Sequence, residues 1–346
     1  MRISFLLPGR GYSGGVRSGV ALAEALGDLG HDVQLLYLNG NNSTRTLARK
    51  FKNYLLQKRH KLPEDWVGQC KLIAKGVAAI NEKVVGKGDV IISFGPDCIE
   101  QARHLPEECG KGVFSARGMT VRDLNIRQMA IESGWPIIAV SEYVKNEFQK
   151  LGADVRAVVG NGIRQDLYYP DDSVEPTGVG AVFGPGKAKD PRKVLAVFRA
   201  LASRRPGLPL RCFGSVPRPE GLAHQVEYHW LPDLDIARKL YSSSQVWFCG
   251  SKSEGFGGPL LEAMCCGAVP VSSNCGGPEE FIQSGKNGLV LKEDSAEIMS
   301  EAICELLDAE DYRKQMRANA LESVKQYRWH DAAVKMQEAL EGIVLS

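Results

Sequence analysis

The sequence predicts an α/β protein made of two domains, each built on a parallel sheet. Three observations carry that prediction. Short apolar runs of strand length alternate with amphipathic stretches of helix length along most of the chain. Glycine-rich loops at 9–15 and 255–258 each follow a strand and open a helix. At 346 residues the chain exceeds what one ordinary core supports, so two domains are the default.

The elements follow in order. A buried strand is expected over 3–7, then the loop 9–15, then a helix from about 17 to 29 that carries Val20, Leu22, Ala23, Ala25 and Leu26 and stops at Gly30. The next strand covers 33–38, which completes a βαβ unit and implies parallel pairing through crossover helices. Further strands are expected over 90–94, 112–115 and 137–141, and the pattern closes near Asn161-Gly162. Residues 166–178 hold two prolines, four acidic residues and no periodicity, and are read as a linker. The alternation restarts with strands over 180–183, 210–213, 245–249 and 269–272 and a helix over 193–203. The stretch 296–340 reads as helical, with a break around 327–330. Ligands of paired α/β domains bind at the carboxyl ends of the strands, so a cleft faced by both sheets is expected to hold the site.

Composition narrows the class. Hydrophobic residues at 44% and charged ones at 24% are ordinary for a soluble globular protein. A formal net charge of +2 argues against a dedicated nucleic-acid binder. Nine scattered cysteines without a C-x-x-C pair suggest reduced thiols in a cytoplasmic setting rather than a disulfide frame or zinc site. No stretch reaches the roughly 20 apolar residues that span a bilayer.

The most informative stretch is Glu254-Gly255-Phe256-Gly257-Gly258-Pro259-Leu260-Leu261-Glu262-Ala263-Met264. It sets two carboxylates eight positions apart across a glycine-rich turn that opens a helix, with Pro259 suited to the first helical turn. Free N–H groups and the positive end of a helix dipole suit a phosphate. Glu262, about one turn inside the helix, can accept from two vicinal hydroxyls such as those of a ribose. A phosphate cradle flanked by hydroxyl-binding carboxylates points to a sugar nucleotide.

These residues resemble the retaining GT-B glycosyltransferases of family 4, also called group 1, which carry an E-x7-E motif. The likeness is strongest from Glu254 through Glu262-Ala263-Met264, Gly267 and Pro270-Val271 to Gly276-Gly277 and Glu280. Gly14-Gly15 with Gly30-His31-Asp32-Val33, and Asn161-Gly162-Ile163 with Tyr168 and Pro170, match weaker parts of the pattern. The resemblance implies a GT-B architecture of two Rossmann-like domains whose sheets face across a cleft. Residues 1–165 would form the acceptor-side domain, 166–178 the linker and 179–328 the nucleotide-sugar domain, with a final helix at about 329–346 packing back on the first.

The resemblance also implies roles. Glu262 would hold the donor ribose and Glu254 the hydroxyls of the transferred sugar. The backbone of Gly255, Phe256, Gly257, Gly258, Pro259 and Leu260 would line the sugar and diphosphate. Lys189 would neutralise the diphosphate, helped by the amides of Gly14 and Gly15. No metal and no cofactor is expected; a UDP- or GDP-sugar is a substrate, and the acceptor is a hydroxyl of a glycan, a lipid-linked molecule or a small molecule. Two positions depart from the family pattern. Arg117-Gly118 stands where a His-Gly pair is usual, so Arg117 is expected on a phosphate, a carboxylated sugar or an ion-pair partner. Gly184 stands where an arginine usually precedes the lysine, and Lys187 or Arg192 would compensate.

The residues admit other readings. Gly9-x-Gly11-x-x-Gly14 matches a dinucleotide fingerprint, but the second strand ends Leu38-Asn39-Gly40 without the required carboxylate. Asp233-Leu234-Asp235 resembles a metal-binding D-x-D, yet it precedes a helix and suits an N-cap. Gly276-Gly277 fits either a phosphate contact or a plain turn. A GT-B epimerase, a phosphorylase and a non-catalytic nucleotide-sugar-binding subunit are the alternative classes. The segment 45–61 carries seven Lys or Arg, no acid, and Leu47, Phe51, Tyr54 and Leu55 on one helical face. It reads as a helix packed on its own domain or, alternatively, as a peripheral contact with the inner face of the membrane. Liposome flotation separates the two: recovery with anionic vesicles at low salt supports the membrane contact, and no recovery ends it.

Overall fold

The computed structural model describes residues 1–39, 63–118, 124–293 and 295–345. The basic segment 45–61 lies outside the described residues. The chain divides into two compact units, one formed by Met1–Gly162 with Trp329–Ser346, the other by Ile163–Arg328.

The first unit is a seven-stranded sheet of β1 (Arg2–Leu7), β2 (Asp32–Leu38), β3 (Ala74–Val77), β4 (Val90–Ser93), β5 (Lys111–Ala116), β6 (Ile137–Ala139) and β7 (Val155–Val158). Their order is β3-β2-β1-β4-β5-β6-β7 with every pair parallel, so the direction of winding reverses between β1 and β4. Five residues of β1 are buried, as a strand covered on both faces requires. The following helix spans Gly14–Asp28 and starts three residues earlier than periodicity predicts, because Ser13 caps it by accepting from the Val16 N–H at 3.3 Å. Gly14 and Gly15 therefore form its first turn, not part of the preceding loop.

The last helix, Trp329–Leu345, belongs to this unit and buries Ala333, Met336 and Leu340 in the same core as Ile3, Phe5, Leu22 and Leu26. Polar contacts hold it as well. His31 Nε2 lies 3.0 Å from Gln337 Oε1, and Lys111 Nζ donates to the carbonyls of Ile343 and Val344 at 3.2 and 3.0 Å. A cation on the terminal carbonyls also complements the helix dipole.

The second unit is a six-stranded sheet of β8 (Val179–Phe183), β9 (Leu210–Gly214), β10 (Val226–Trp230), β11 (Val246–Cys249), β12 (Val269–Ser273) and β13 (Leu289–Leu291). Its order, β10-β9-β8-β11-β12-β13, is again all parallel and reverses between β8 and β11. Its core joins Val197, Phe198 and Leu201 of the helix Pro191–Arg204 to Phe248, Val271, Met299 and Ile303. Residues 166–178, read as a linker from sequence, lie within this unit. The Asp171 N–H donates to Ser242 Oγ at 3.1 Å and the Thr177 N–H to the Ser243 carbonyl at 2.8 Å, which ties the stretch to the end of the helix Leu234–Ser242. Among the described residues, no helix is long and apolar enough to cross a membrane.

Gly180 shows how tightly the centre of this sheet is packed. It pairs with Trp247, whose indole is 1% exposed, and a Cβ at Gly180 would fall 2.1 Å from the ring. Gly180→Ala is expected to destabilise the chain by about 1–3 kcal/mol, the usual range for overpacking. An unchanged urea midpoint would show that the indole has room to move.

Candidate active site

β8 and β11 flank the point where strand order reverses, and open α/β sheets take ligands at the carboxyl ends of such strands. Two of the expected residues meet there. Lys189 ends a short 3₁₀ turn, Lys187–Lys189, after β8, and Glu254 lies in the loop after β11. The Lys189 ammonium donates to both carboxylate oxygens of Glu254, at 2.7 Å to Oε1 and 2.8 Å to Oε2. Ser251 Oγ donates to the same Oε1 at 2.6 Å. The two loops are joined by the Lys252 N–H, which donates to the Ala188 carbonyl at 2.8 Å, and by an ion pair of Lys252 Nζ with Asp190 at 3.2 Å.

Gly184 explains the missing arginine of the family pattern. A Cβ there would lie 2.7 Å from Lys189 Cγ, so the lysine stem occupies the space a side chain would need. Lys187 and Arg192 are exposed, and it is Lys189 that reaches the carboxylate. Asp190 holds a left-handed conformation with φ of 43° and caps the helix Pro191–Arg204 by accepting from the Lys193 N–H at 3.4 Å. Burial pushes the Lys189 ammonium down in pKa, but the attraction of Glu254 outweighs it and the group ends above its ordinary 10.5.

The loop carrying Glu254 is fixed by the loop that follows β12. The Glu254 N–H donates to the Cys275 carbonyl at 2.8 Å, and the Gly277 N–H returns to the Glu254 carbonyl at 3.0 Å. A Cβ at Gly277 would sit 2.4 Å from the Phe256 backbone nitrogen. The second glycine pair thus shapes the motif by close backbone packing. The helix Gly258–Cys265 then opens from Gly257, whose φ of 93° favours glycine, and no side chain caps it. Phe256 and Leu260 bury their side chains, 5% and 1% exposed, and Phe256 packs on Phe281 and Tyr327.

Glu262, on that helix, is 7% exposed, and its Oε2 accepts from the Tyr241 hydroxyl at 2.8 Å. Tyr241 is buried against Trp247 and Phe213, with ring centroids at 4.4 and 5.5 Å. Neither Tyr241 nor Ser251 stood out in the sequence: one reads as an apolar helix position, the other as a loop serine. Asp233 caps the helix Leu234–Ser242 by accepting from the Ile236 N–H at 2.8 Å.

The remaining expected residues lie in the first unit. Gly14 and Gly15 open the helix after β1, and a Cβ at either would meet nothing within 4 Å. Arg117 follows β5, is 8% exposed, and donates from Nε to Ser115 Oγ at 3.0 Å and from Nη1 to Asn161 Oδ1 at 2.6 Å. Its guanidinium lies 5.4 Å from the centre of the Phe94 ring. Burial pushes its pKa down to about 10.

Because folding raises the Lys189 pKa, the pair's contribution is complete below the unfolded value of 10.5 and is lost as pH rises through the higher folded value. The stability gap between the native chain and Lys189→Met should therefore be widest near neutral pH and narrow as pH rises above the unfolded value of 10.5 in urea unfolding. A gap that stays constant into that range would show that the ammonium contributes nothing through its charge.

Residues 186–323 match the family model described as glycosyl transferases group 1. Among curated proteins, the chain is 23% identical over 210 residues to an uncharacterized glycosyltransferase of Methanocaldococcus jannaschii, covering 59% of each chain. It is 26% identical over 204 residues to the alpha-maltose-1-phosphate synthase of Mycobacterium tuberculosis, covering 49% of this chain and 51% of that one. The chain thus spans about half the length of these curated relatives. Among solved structures, Anabaena HepE in complex with UDP and glucose superposes with a TM-score of 0.77 at 16% identity, covering 99% of this chain and 100% of that one. The sucrose-phosphate synthase of Thermosynechococcus elongatus gives 0.72 at 15% identity, with 100% of both chains covered. The fold of this chain is thus that of the GT-B glycosyltransferases, and its residues 186–323 are similar to the group 1 glycosyltransferases.

Proposed function

We propose that the chain is a retaining, metal-independent glycosyltransferase that moves a sugar from a nucleoside diphosphate sugar to a hydroxyl acceptor. The observation that carries the reading is the meeting of Lys189 and Glu254 at the carboxyl ends of β8 and β11, beside the uncapped helix that bears Glu262. A UDP-sugar is the favoured donor, in line with the UDP and glucose bound by HepE; a GDP-sugar fits the same chemistry. The acceptor is proposed to be a glycan, a lipid-linked molecule or a small molecule, reached in the cytoplasm.

The chemistry follows from where charge develops. As the glycosidic C–O bond breaks, negative charge grows on the diphosphate and positive charge on the sugar ring. Fixed donors at the phosphate oxygens then count most, each typically worth about 2.7–4 kcal/mol. Backbone N–H groups of Gly255, Phe256, Gly257 and Gly258 and the helix dipole supply such donors, and Lys189 supplies a cation. Retention needs no protein nucleophile: the acceptor hydroxyl attacks from the face the diphosphate leaves, and a departing phosphate oxygen takes its proton. Glu262 holds the ribose hydroxyls and Glu254 the hydroxyls of the sugar.

The ion pair adds a constraint on this scheme. An ammonium has three N–H donors, and Glu254 takes two of those of Lys189 in the free protein. The pair carries no net charge, so a diphosphate competes with Glu254 for the ammonium. Glu254→Gln frees that cation while removing a sugar contact. It is expected to bind UDP more tightly, by up to about tenfold or 1.4 kcal/mol, and to transfer sugar more slowly. Glu262→Ala should weaken donor binding with the fold intact, and Lys189→Ala should lose more in kcat than in affinity. Calorimetry and a turnover assay read these, after a thermal-shift panel of nucleoside diphosphate sugars in which a ligand at 100 times its Kd stabilises by about 2.7 kcal/mol. Unchanged UDP affinity together with normal turnover in these variants would remove the assignment.

A further inference from the structure

We propose that Arg117 is built to hold an oxyanion, a carboxylate or a phosphate, carried by the sugar substrate, so that the protein selects an anionic sugar over its neutral counterpart. The proposal rests on the glycosyl-transfer reading above and deepens it.

The position is the first support. Arg117 follows β5 directly, Phe94 follows β4 directly, and Asn161 comes three residues after β7. All three stand at the carboxyl edge of the first sheet, on the side of β1 where β4 marks the reversal of strand order. That edge is where sheets of this kind meet their ligands.

The state of the side chain is the second. Arginine is seldom this buried without an acid, because a charge taken from water must be compensated. Yet both hydrogen-bond acceptors of Arg117 are neutral, the hydroxyl of Ser115 and the amide oxygen of Asn161. Its third contact is the face of Phe94. Among the described residues no carboxylate pairs with it. A guanidinium has five N–H donors, and Ser115 and Asn161 take two of them. The donors left over are on Nη1 and Nη2, the end that grips a carboxylate or phosphate in a two-point fork.

The third support is rigidity and access. Ser115, Asn161 and Phe94 fix the guanidinium plane before any ligand arrives, which lowers the cost of binding. Among the described residues, nitrogens sealed from solvent without a partner include Arg127 Nε and Arg238 Nε, but none of Arg117. Its free end is therefore not closed off. With its pKa pushed down to about 10, the group remains cationic at neutral pH. The diphosphate of the donor has its own proposed partners in Lys189 and the 255–260 backbone, so the oxyanion assigned to Arg117 is a different one.

The anion can come from the donor, as a nucleotide-linked uronate, or from the acceptor, as a sugar phosphate. Calorimetry on the intact chain separates these sources: UDP-glucuronate is compared with UDP-glucose, and glucose 6-phosphate with glucose in the presence of UDP. One arm is expected to favour the charged ligand by at least about tenfold. Arg117→Gln should reduce that ratio to near one, and Arg117→Lys, which keeps the charge but loses the fork, should leave an intermediate ratio. Thermal unfolding without ligand checks that both variants fold, and the native-chain ratios stand without any variant. Equal affinity for charged and neutral ligands in both arms overturns the proposal, as does a preference that persists in folded Arg117→Gln. Failure of UDP and both UDP-sugars to bind the native chain would instead remove the glycosyl-transfer reading on which it rests.

Discussion

One ion pair organises the second unit's site: the two-point contact of Lys189 with Glu254. It forms because two loops leave neighbouring parallel strands at the place where strand order reverses, and nothing lies between them in the sheet. Ser251 and the Lys252–Ala188 backbone contact hold the loops in that arrangement. The lysine is close enough to its partner to be raised in pKa in spite of burial, so the ammonium keeps its charge at neutral pH. A neutral pair can bind an anion only by sharing or releasing the lysine. Under the proposed function, a phosphate oxygen of the donor exchanges with this internal carboxylate for the ammonium.

Close packing makes this geometry possible, and glycine is the means. The stem of Lys189 passes where a side chain at 184 would stand, and the motif backbone at Phe256 lies against Gly277. The pattern of glycines around E-x7-E is thus as much about backbone approach as about phosphate. The aromatic residues beneath, Trp247, Tyr241 and Phe213, form a rigid floor from which the Tyr241 hydroxyl reaches Glu262. That hydrogen bond orients the buried carboxylate.

The first unit presents the opposite electrostatic state. Where Lys189 has an acid, Arg117 has, among the described residues, neutral partners and a ring face. One cation is compensated within the fold and the other is not. That asymmetry is the physical basis for assigning them different anions.

The alternation of strands and helices, the two domains and the E-x7-E turn were legible in the sequence, because buried central strands and glycine-rich turns impose strong local patterns. Four strands were not legible: β3, β7, β10 and β13 are the outermost strands of the two sheets. Edge strands such as Ala74–Val77 and Val155–Val158 are only partly buried, so their residues carry little hydrophobic signal. The helix at Gly14 began before its periodicity did, since capping by Ser13 and not an apolar stripe sets its start. Sequence by itself determined which residue types stand at the turns. Tertiary structure alone decided that Lys189 pairs with Glu254, that Tyr241 reaches Glu262 and that Arg117 meets Ser115 and Asn161. Those contacts join residues 65, 21 and 44 positions apart, for Lys189–Glu254, Tyr241–Glu262 and Arg117–Asn161 in turn, and no local periodicity encodes a partner at such separations.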